Sequence, residues 1–213
     1  MEITRTSPTV GAEITDVDLR SLSDDEFAAI HRAFVDHGVV FFRDQDLSPE
    51  DHLAFADRWG EINVNRFFTP VPDHPAIAEV RKEPDQSFNI GGAWHTDHSY
   101  DQIPALGSIL YAREVPAVGG DTMFASQYAA YDALSPGMKE VLLDLWADHS
   151  SRHVFGVEGD VFNNPDAATQ DALHPVVIEH PLSGRPALYV NLGFTLRFHG
   201  WTDAESTPLL DWL

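Results

Sequence analysis

The chain has 213 residues, no cysteine, and a formal net charge of −21 that arises from 13 basic and 34 acidic residues. The length predicts a single domain over residues 1–213. So few basic side chains exclude a nucleic-acid partner, because they could not neutralise its phosphates. The lack of cysteine excludes disulfides and thiolate metal sites, so any metal ion must be bound by His, Asp or Glu.

Export and membrane insertion are not expected. The N-terminus lacks the apolar run and the small-residue cleavage site of a signal peptide. No stretch approaches the roughly 18 apolar residues that a membrane-spanning helix needs. The sequence therefore predicts a cytoplasmic protein with no membrane partner.

The first third of the chain carries clear helix signals. Ser23 is followed three residues later by an acidic residue, which is the pattern of a capping box, and apolar residues then recur at helical spacing up to Gly38. The apolar residues 39–42 predict a buried strand. Ser48 and Pro49 then begin a second helix, with proline at its first position, and this helix stops at Gly60.

The remaining chain predicts short strands, two further helices and a long loop. The strand candidates are residues 76–80, 107–112, 122–125, 175–180 and 187–191, the last two being paired. A helix is predicted to begin at Ser135 and another, with a second capping box, at Thr202. The polar residues 156–172 are interpreted as a loop or lid.

His95 and Asp97 are the strongest candidates for chemistry. Two residues apart on an extended strand, an imidazole and a carboxylate point to the same face and can reach one ion. They supply two members of the 2-His-1-carboxylate triad that binds Fe(II). A loop histidine beside a solvated aspartate is the alternative. Two preceding glycines favour close approach of a ligand, and Trp94 and Tyr100 could form the walls of a pocket.

Several motifs in order resemble the taurine dioxygenase (TauD/TfdA) family of Fe(II)- and 2-oxoglutarate-dependent oxygenases. The resemblance extends along nearly the whole sequence. The matching blocks are residues 11–19, residues 37–45, the Trp-His-Thr-Asp motif at 94–97, the Gly-Gly-Asp-Thr signature at 119–122, and the Asn-Leu-Gly-Phe-Thr segment at 191–195.

The resemblance implies a mainly β protein with flanking helices, built on a double-stranded β-helix (jelly roll). It implies His95 and Asp97 as iron ligands, and Thr122 as the hydroxyl that meets the carboxylate of 2-oxoglutarate. By itself, Thr122 would be interpreted as a β-branched strand residue. The implied reaction hydroxylates a C–H bond of a small organic substrate with dioxygen, and it releases succinate and CO2. A homo-oligomer would be compatible with this reading.

The resemblance also implies a distal iron-binding histidine and a 2-oxoglutarate-binding arginine near a Trp-Asp-Asn-Arg-like signature. No such signature occurs before Leu213. His174, His180 and His199 precede the expected place and are interpreted as surface or hydrogen-bonded residues, and Arg197 is a poor substitute for the arginine. We therefore expect the domain to be C-terminally incomplete, without its last strands.

The substrate residues implied by the family also differ. The His and Tyr that hold a sulfonate in taurine-using members correspond to Asn65 and Phe68, and the family's asparagine falls near Gly91. Burying a sulfonate without charge-assisted donors is unfavourable, so a larger or less anionic substrate is expected. His98 is a further candidate for substrate contact, although on an ideal strand its side chain would point away from the two ligands.

Two other functions remain open at this point. Dinuclear hydrolases use adjacent Asp and His ligands to activate water, which would employ His95, Asp97 and His98. Their usual upstream histidine is absent, because Ala93 stands there. A non-catalytic jelly-roll binding module is the other alternative. The identity of the metal, and whether dioxygen uptake depends on 2-oxoglutarate, would distinguish the three.

Overall fold

The computed structural model describes residues 1–87, 89, 91–155 and 170–213, and its contacts divide the chain into two units. The first unit comprises residues 1–61, 109–133 and 179–187. The second comprises residues 62–108, 134–178 and 188–213. Each unit thus combines segments that are distant in sequence, and the prediction of a single domain stays a prediction.

A three-stranded sheet with one crossover helix organises the first unit. β1 (Glu2–Arg5) pairs antiparallel with β2 (Ala12–Thr15), and β2 pairs parallel with β3 (Val40–Phe42). Helix α1 (Asp24–His37) makes the crossover that a parallel pair requires. The strand predicted over 39–42 is confirmed, although its side chains are half-buried rather than buried.

Both N-terminal helices begin as their sequences predict, and the first also ends at the predicted glycine, whereas the second ends at Asp57, before the predicted Gly60. The Ser23 hydroxyl accepts the backbone N–H of Glu26, whose carboxylate returns to the Ser23 N–H, and Gly38 ends α1 at a left-handed φ of 73°. Ser48 caps helix α2 (Pro49–Asp57) in the same way. Such reciprocal bonds satisfy orphan N–H groups that would otherwise weaken the helix by about 1 kcal/mol each.

The core of the first unit lies between this sheet and the two helices. Phe55 contacts both Phe27 and Phe42 edge-on, at ring centroid distances of 6.5 and 5.9 Å. The buried side chains are Ile14, Leu19, Ile30, Ala33, Leu47 and Phe55. A short helix, α3 (Gln127–Ala133), also belongs to this unit and was not predicted.

A second three-stranded sheet organises the second unit. The strand β6 (Trp146–Ser150) is central and pairs antiparallel with β7 (Asp171–Pro175) and with β10 (Thr195–Phe198). None of these strands was predicted. The helix expected from Ser135 is confirmed as α4 (Pro136–Leu143).

The other elements are short. A hairpin is formed by β4 (Pro70–Val71) and β5 (His74–Ala78), so that β5 overlaps the strand predicted over 76–80. The predicted strand pair near the C-terminus is confirmed in shorter form as β8 (Val177–Glu179) and β9 (Pro186–Leu188). The last helix, α6 (Asp203–Leu210), begins at the Thr202 capping box as expected. A single helical turn, α5 (Arg152–Phe155), completes the set.

Two predicted strands are wrong. Residues 107–112 and 122–125 have no regular secondary structure, and Leu110 is 74% exposed. Strand propensity is realised only where a neighbouring strand supplies hydrogen bonds and covers one face. Among the described residues, neither segment has such a partner. The predicted loop over 156–172 falls mostly outside the described residues, and its last two residues belong to β7.

The architecture confirms the coarser fold prediction of β-sheets accompanied by a few helices. Across the described ranges, none of the helices combines the length and the apolar character that crossing a bilayer requires.

Candidate metal centre

His95 and Asp97 converge as predicted, but from a different backbone conformation. The segment before His95 has no regular secondary structure, and the chain turns at residues 97–100. His95 Nε2 nevertheless lies 3.1 Å from Asp97 Oδ1. The same-face arrangement therefore arises from the approach to a turn and not from a strand.

The hydrogen bonds of the pair fix which atoms face each other. His95 Nδ1 lies 2.7 Å from the Ala93 carbonyl oxygen, which can only accept, so Nδ1 carries the proton and donates it. Asp97 Oδ2 accepts from the Ser108 hydroxyl at 2.8 Å. The remaining atoms, His95 Nε2 and Asp97 Oδ1, are left to share one cation, either a proton or a metal ion.

The electrostatics are consistent with a shared cation. The hydrogen bond to Asp97 raises the pKa of His95. The bond from His95 and, after it, the bond from Ser108 lower the pKa of Asp97 against the opposing effect of burial. An anionic carboxylate beside a lone-pair nitrogen is the donor set of a divalent metal.

The separation of the two donor atoms also fits a metal. Two donors at about 2.1 Å from one ion and at right angles would be about 3.0 Å apart, close to the observed 3.1 Å. The His95 side chain is 30% exposed and that of Asp97 is 54% exposed, so both are accessible. Within the described residues, no group of three or more His, Asp or Glu side chains is arranged to bind a metal.

An aromatic cluster borders the pair on one side. The Phe194 ring meets the His95 ring edge-on at 5.8 Å and the Tyr100 ring at 4.8 Å. Phe67, Tyr100 and Phe194 are buried together, and Phe68 packs against them. Trp94 remains 48% exposed, so of the two proposed wall residues only Tyr100 belongs to a packed surface.

The structure uses Asn65 and Phe68 in ways that the sequence did not indicate. The side-chain oxygen of Asn65 accepts the backbone N–H groups of Phe67 at 2.8 Å and of Phe68 at 3.2 Å. This Asx-type bonding orders the local chain. Neither residue supplies a cationic donor, and a role in substrate binding stays a prediction for both.

His98 is engaged by a buried carboxylate. Its φ of 58° is left-handed, and its Nδ1 donates to Asp101 Oδ2 at 2.8 Å. Asp101 Oδ1 accepts from Arg66 Nη2 at 2.8 Å, and its backbone oxygen accepts from His174 Nε2 at 3.0 Å. Sequence reasoning missed this network, because Arg66 and His174 are far from Asp101 in the chain. These contacts favour a structural role for His98, and its predicted substrate contact is not tested.

Thr122 lies in the first unit, while His95 and Asp97 lie in the second. It is exposed and belongs to a stretch without regular secondary structure. Gly119 and Gly120, in the same signature, have φ values of 82° and 74°, which only glycine adopts readily. The contact of Thr122 with 2-oxoglutarate stays a prediction.

The residues dismissed as metal ligands are all hydrogen-bonded. His174 contacts Asp101, as described above, and the Nδ1 of His180 accepts the backbone N–H of Leu182 at 3.3 Å. His199 Nδ1 donates to Asp148 Oδ1 at 2.9 Å. Arg197 pairs with the same Asp148 at 3.1 Å. These partners agree with the interpretation made from the sequence.

Burial of His149 makes stability dependent on pH. The side chain is 1% exposed, and desolvation, reinforced by the neighbouring His174, lowers its pKa to about 4. The unfolded chain, with a histidine pKa of about 6.5, binds the proton more tightly. The stability gained by burying a neutral His149 is therefore complete above pH 6.5. It is lost as the pH falls towards 4, because the unfolded chain then takes up a proton that the folded chain does not.

We expect His149→Asn to flatten the dependence of the unfolding free energy on pH between about 6.5 and 4, by at most about 3 kcal/mol. Urea titrations of the parent and the variant at several pH values would measure it. Burial also lowers the pKa of His52 and of His180. Both are present in either protein, so the difference isolates His149. Parallel pH profiles would contradict the assignment.

A family model described as "Taurine catabolism dioxygenase TauD, TfdA family" matches residues 2–213. A curated relative from Delftia acidovorans, (S)-phenoxypropionate/alpha-ketoglutarate-dioxygenase, is 34% identical over 206 residues, which cover 89% of this chain and 70% of the relative. The chain spans 54% of the length of two other curated relatives.

Two solved structures also match the chain over nearly its whole length. A taurine dioxygenase from Burkholderia xenovorans matches with a TM-score of 0.81 and 31% identity, over 99% of this chain and 71% of that one. AAD-2 in complex with Mn(II) and N-oxalylglycine matches with a TM-score of 0.77 and 28% identity, over 99% of this chain and 77% of that one.

Proposed function

The chain belongs to the taurine catabolism dioxygenase TauD, TfdA family, and we propose from this premise that it serves as an Fe(II)- and 2-oxoglutarate-dependent dioxygenase. The observation that carries the proposal is the convergence of His95 Nε2 and Asp97 Oδ1 at 3.1 Å, with the other atoms of both side chains occupied by Ala93 and Ser108. One neutral nitrogen and one carboxylate oxygen are thereby presented to a common ion.

Bound iron and 2-oxoglutarate supply the oxidative chemistry, in which substrate, dioxygen and 2-oxoglutarate give hydroxylated substrate, succinate and CO2. The chain's own residues orient and enclose this centre. The Ala93 carbonyl holds the His95 ring so that Nε2 faces the metal position. Ser108 holds Asp97 by its other oxygen. Outer hydrogen bonds of this kind typically change metal affinity 10- to 100-fold.

Phe194 excludes water from one edge of His95, because the ring packs there at 5.8 Å and is itself buried. Thr122 serves as the contact for the 2-oxoglutarate carboxylate, as its place in the Gly-Gly-Asp-Thr signature indicates. The family membership supports this role.

The same premise supports the finer fold assignment, a double-stranded β-helix. The small sheets of mainly antiparallel strands agree with it. Structural matches to dioxygenases at TM-scores of 0.81 and 0.77 support it further.

Neither alternative function is favoured. A hydrolase would need His98 beside His95 and Asp97, but His98 Nδ1 is bound to Asp101 and its side chain is only 11% exposed. The described part of the chain forms no three-ligand group from these residues. The relatives named above are dioxygenases, which favours oxidation over hydrolysis or simple binding.

The preferred substrate is larger or less anionic than taurine. The Asn65 oxygen is committed to two backbone N–H groups, and Phe68 packs into the aromatic cluster of Phe67, Tyr100 and Phe194. A sulfonate placed there would lose its hydration without gaining a charged donor. The name of the Delftia acidovorans relative specifies phenoxypropionate, which carries an aromatic ring that taurine lacks, and this supports a larger, aryl-bearing substrate.

We expect succinate formation with taurine to be at least about tenfold slower than with the best member of a panel of aryloxy carboxylates, sulfate esters and amino acids, a difference of about 1.4 kcal/mol in barrier. Succinate is measured with Fe(II) and 2-oxoglutarate under air, and a reaction without substrate corrects for uncoupled turnover. Taurine as the best substrate would show that the substrate assignment is wrong. With the family's distal histidine and arginine present in the protein assayed, lack of succinate with every substrate would contradict the proposed function itself.

A further inference from the structure

Gly193 approaches His95 more closely than any other residue type could. A Cβ atom built on Gly193 would lie 2.6 Å from His95 Cβ, and 3.4 Å from both the Trp94 carbonyl oxygen and Asn191 Oδ1. Carbon atoms in contact are normally about 3.5–4.0 Å apart. Since the clash involves a Cβ joined directly to backbone, rotation of a side chain cannot relieve it.

The glycine is needed for space and not for backbone conformation. Its φ lies outside the left-handed region, unlike that of Gly91, Gly119 or Gly120. An alanine at 193 would be acceptable to the local backbone, so its cost would come from the contact with His95 alone.

The turn that carries Gly193 is held in place from several sides. Asn191 Oδ1 accepts the Phe194 N–H at 2.8 Å, and the Asn191 N–H donates to the Thr195 hydroxyl at 2.9 Å. The Asn191 side-chain amide donates to Ser99 Oγ at 3.2 Å. The turn therefore cannot recede from His95 without breaking several bonds.

Two hydrogen bonds to the backbone of Gly193 itself join this turn to its surroundings. Its N–H donates to the Trp94 carbonyl oxygen at 3.0 Å, on the residue before His95. Its carbonyl oxygen accepts from His153 Nε2 at 2.7 Å. The backbone next to His95 is thus held by Gly193 through the Trp94 carbonyl, its ring edge by Phe194, and its Nδ1 by Ala93.

We propose that Gly193 is a positioning residue, whose missing side chain allows the 191–195 turn to set the place of the His95 imidazole. The consequence for metal binding rests on the proposed function, whereas the placement of His95 does not. The matched control is Gly137→Ala in α4, because a Cβ there would meet no atom within 4 Å.

The test compares Gly193→Ala with Gly137→Ala and the parent in two measurements. In the metal-free protein at about pH 9, nitrogen-15 shifts of the His95 imidazole report its hydrogen bonding to Ala93. Mn(II) alone, followed by the loss of its free-ion EPR signal, gives the affinity. Gly193→Ala should alter the His95 shifts and weaken Mn(II) binding about 10- to 100-fold, as other losses of ligand support do, while Gly137→Ala changes neither. Unchanged shifts and affinity in folded Gly193→Ala would overturn the proposal.

A second pair of variants decides the matter if Gly193→Ala does not fold. His153→Ala removes the donor to the Gly193 carbonyl from an exposed position, and His153→Gln retains an N–H donor. We expect altered His95 shifts in His153→Ala and their recovery in His153→Gln. Parent-like shifts in His153→Ala would then overturn the proposal. If even the parent fails to bind Mn(II), the proposed function is wrong, and the shifts alone decide the role of Gly193.

Discussion

Changing Asp97 to alanine is expected to abolish metal binding and catalysis without unfolding the protein. Asp97 Oδ1 is the carboxylate oxygen that faces His95 Nε2, so the variant leaves one imidazole where two donors stood. We expect the affinity for Fe(II) or Mn(II) to fall by at least about 100-fold, beyond the effect of losing an outer hydrogen bond. Succinate formation should fall below detection.

Loss of stability would not explain this result. The Asp97 side chain is 54% exposed, and interactions of exposed charges contribute little to folding. Glu140→Ala, which removes one acidic charge from an exposed position of α4, serves as the control and should bind metal like the parent. Metal titration, thermal melting by circular dichroism and the succinate assay are carried out on both. Unchanged iron affinity in Asp97→Ala would refute the assignment of the ligand.

The sequence was sufficient to predict the helices whose ends are fixed by residues close to them in the chain. The helix α1 was predicted with both ends, because the Ser23–Glu26 capping box and Gly38 act within a few residues of themselves. Helix α6 was predicted for the same reason. Such signals require no knowledge of distant contacts.

The strands β6, β7 and β10 were missed because their stability depends on distant partners. The central strand β6 contains the buried polar residues His149 and Ser150, which break any apolar alternation. Ser150 donates to Asp171, on the neighbouring strand, and His149 contacts Ser99. Until those partners are known, a polar segment of this kind predicts a loop.

The candidate metal site shows both what the sequence could predict and what it could not. The spacing of His95 and Asp97 predicted that their side chains would meet, and they do, although the strand assumed for them is absent. The support from Gly193 could not be inferred, since a glycine in sequence does not say which atom it must approach. The 191–195 segment was recognised only as a matching motif, and its contact with His95 emerges from the fold.

Changing Asp101 to alanine should be the most destabilising single carboxylate substitution in the site region. The side chain is 8% exposed and accepts from both Arg66 and His98 at 2.8 Å. Its removal leaves the partly buried Arg66 guanidinium, which lies over the Phe67 ring at 4.8 Å, without its counter-charge. Removing one partner of a buried ion pair lowers the free energy of unfolding by about 3–5 kcal/mol. Because Arg66 is partly exposed, we expect a loss of about 3 kcal/mol.

Asp101→Asn is the informative companion, because an amide keeps the shape and one acceptor for Arg66 while removing the charge. We expect it to lose about half as much stability as alanine, and Glu140→Ala to lose almost none. Urea unfolding measures all three. A loss in Asp101→Ala no larger than that of Glu140→Ala would contradict the buried network.

Asp101 also accepts from His98, the residue after Asp97, so it closes the turn that presents the Asp97 carboxylate, the proposed metal ligand. The folded fraction of Asp101→Ala should therefore bind Mn(II) more weakly than the parent, which links the stability of this turn to the geometry of the metal pair.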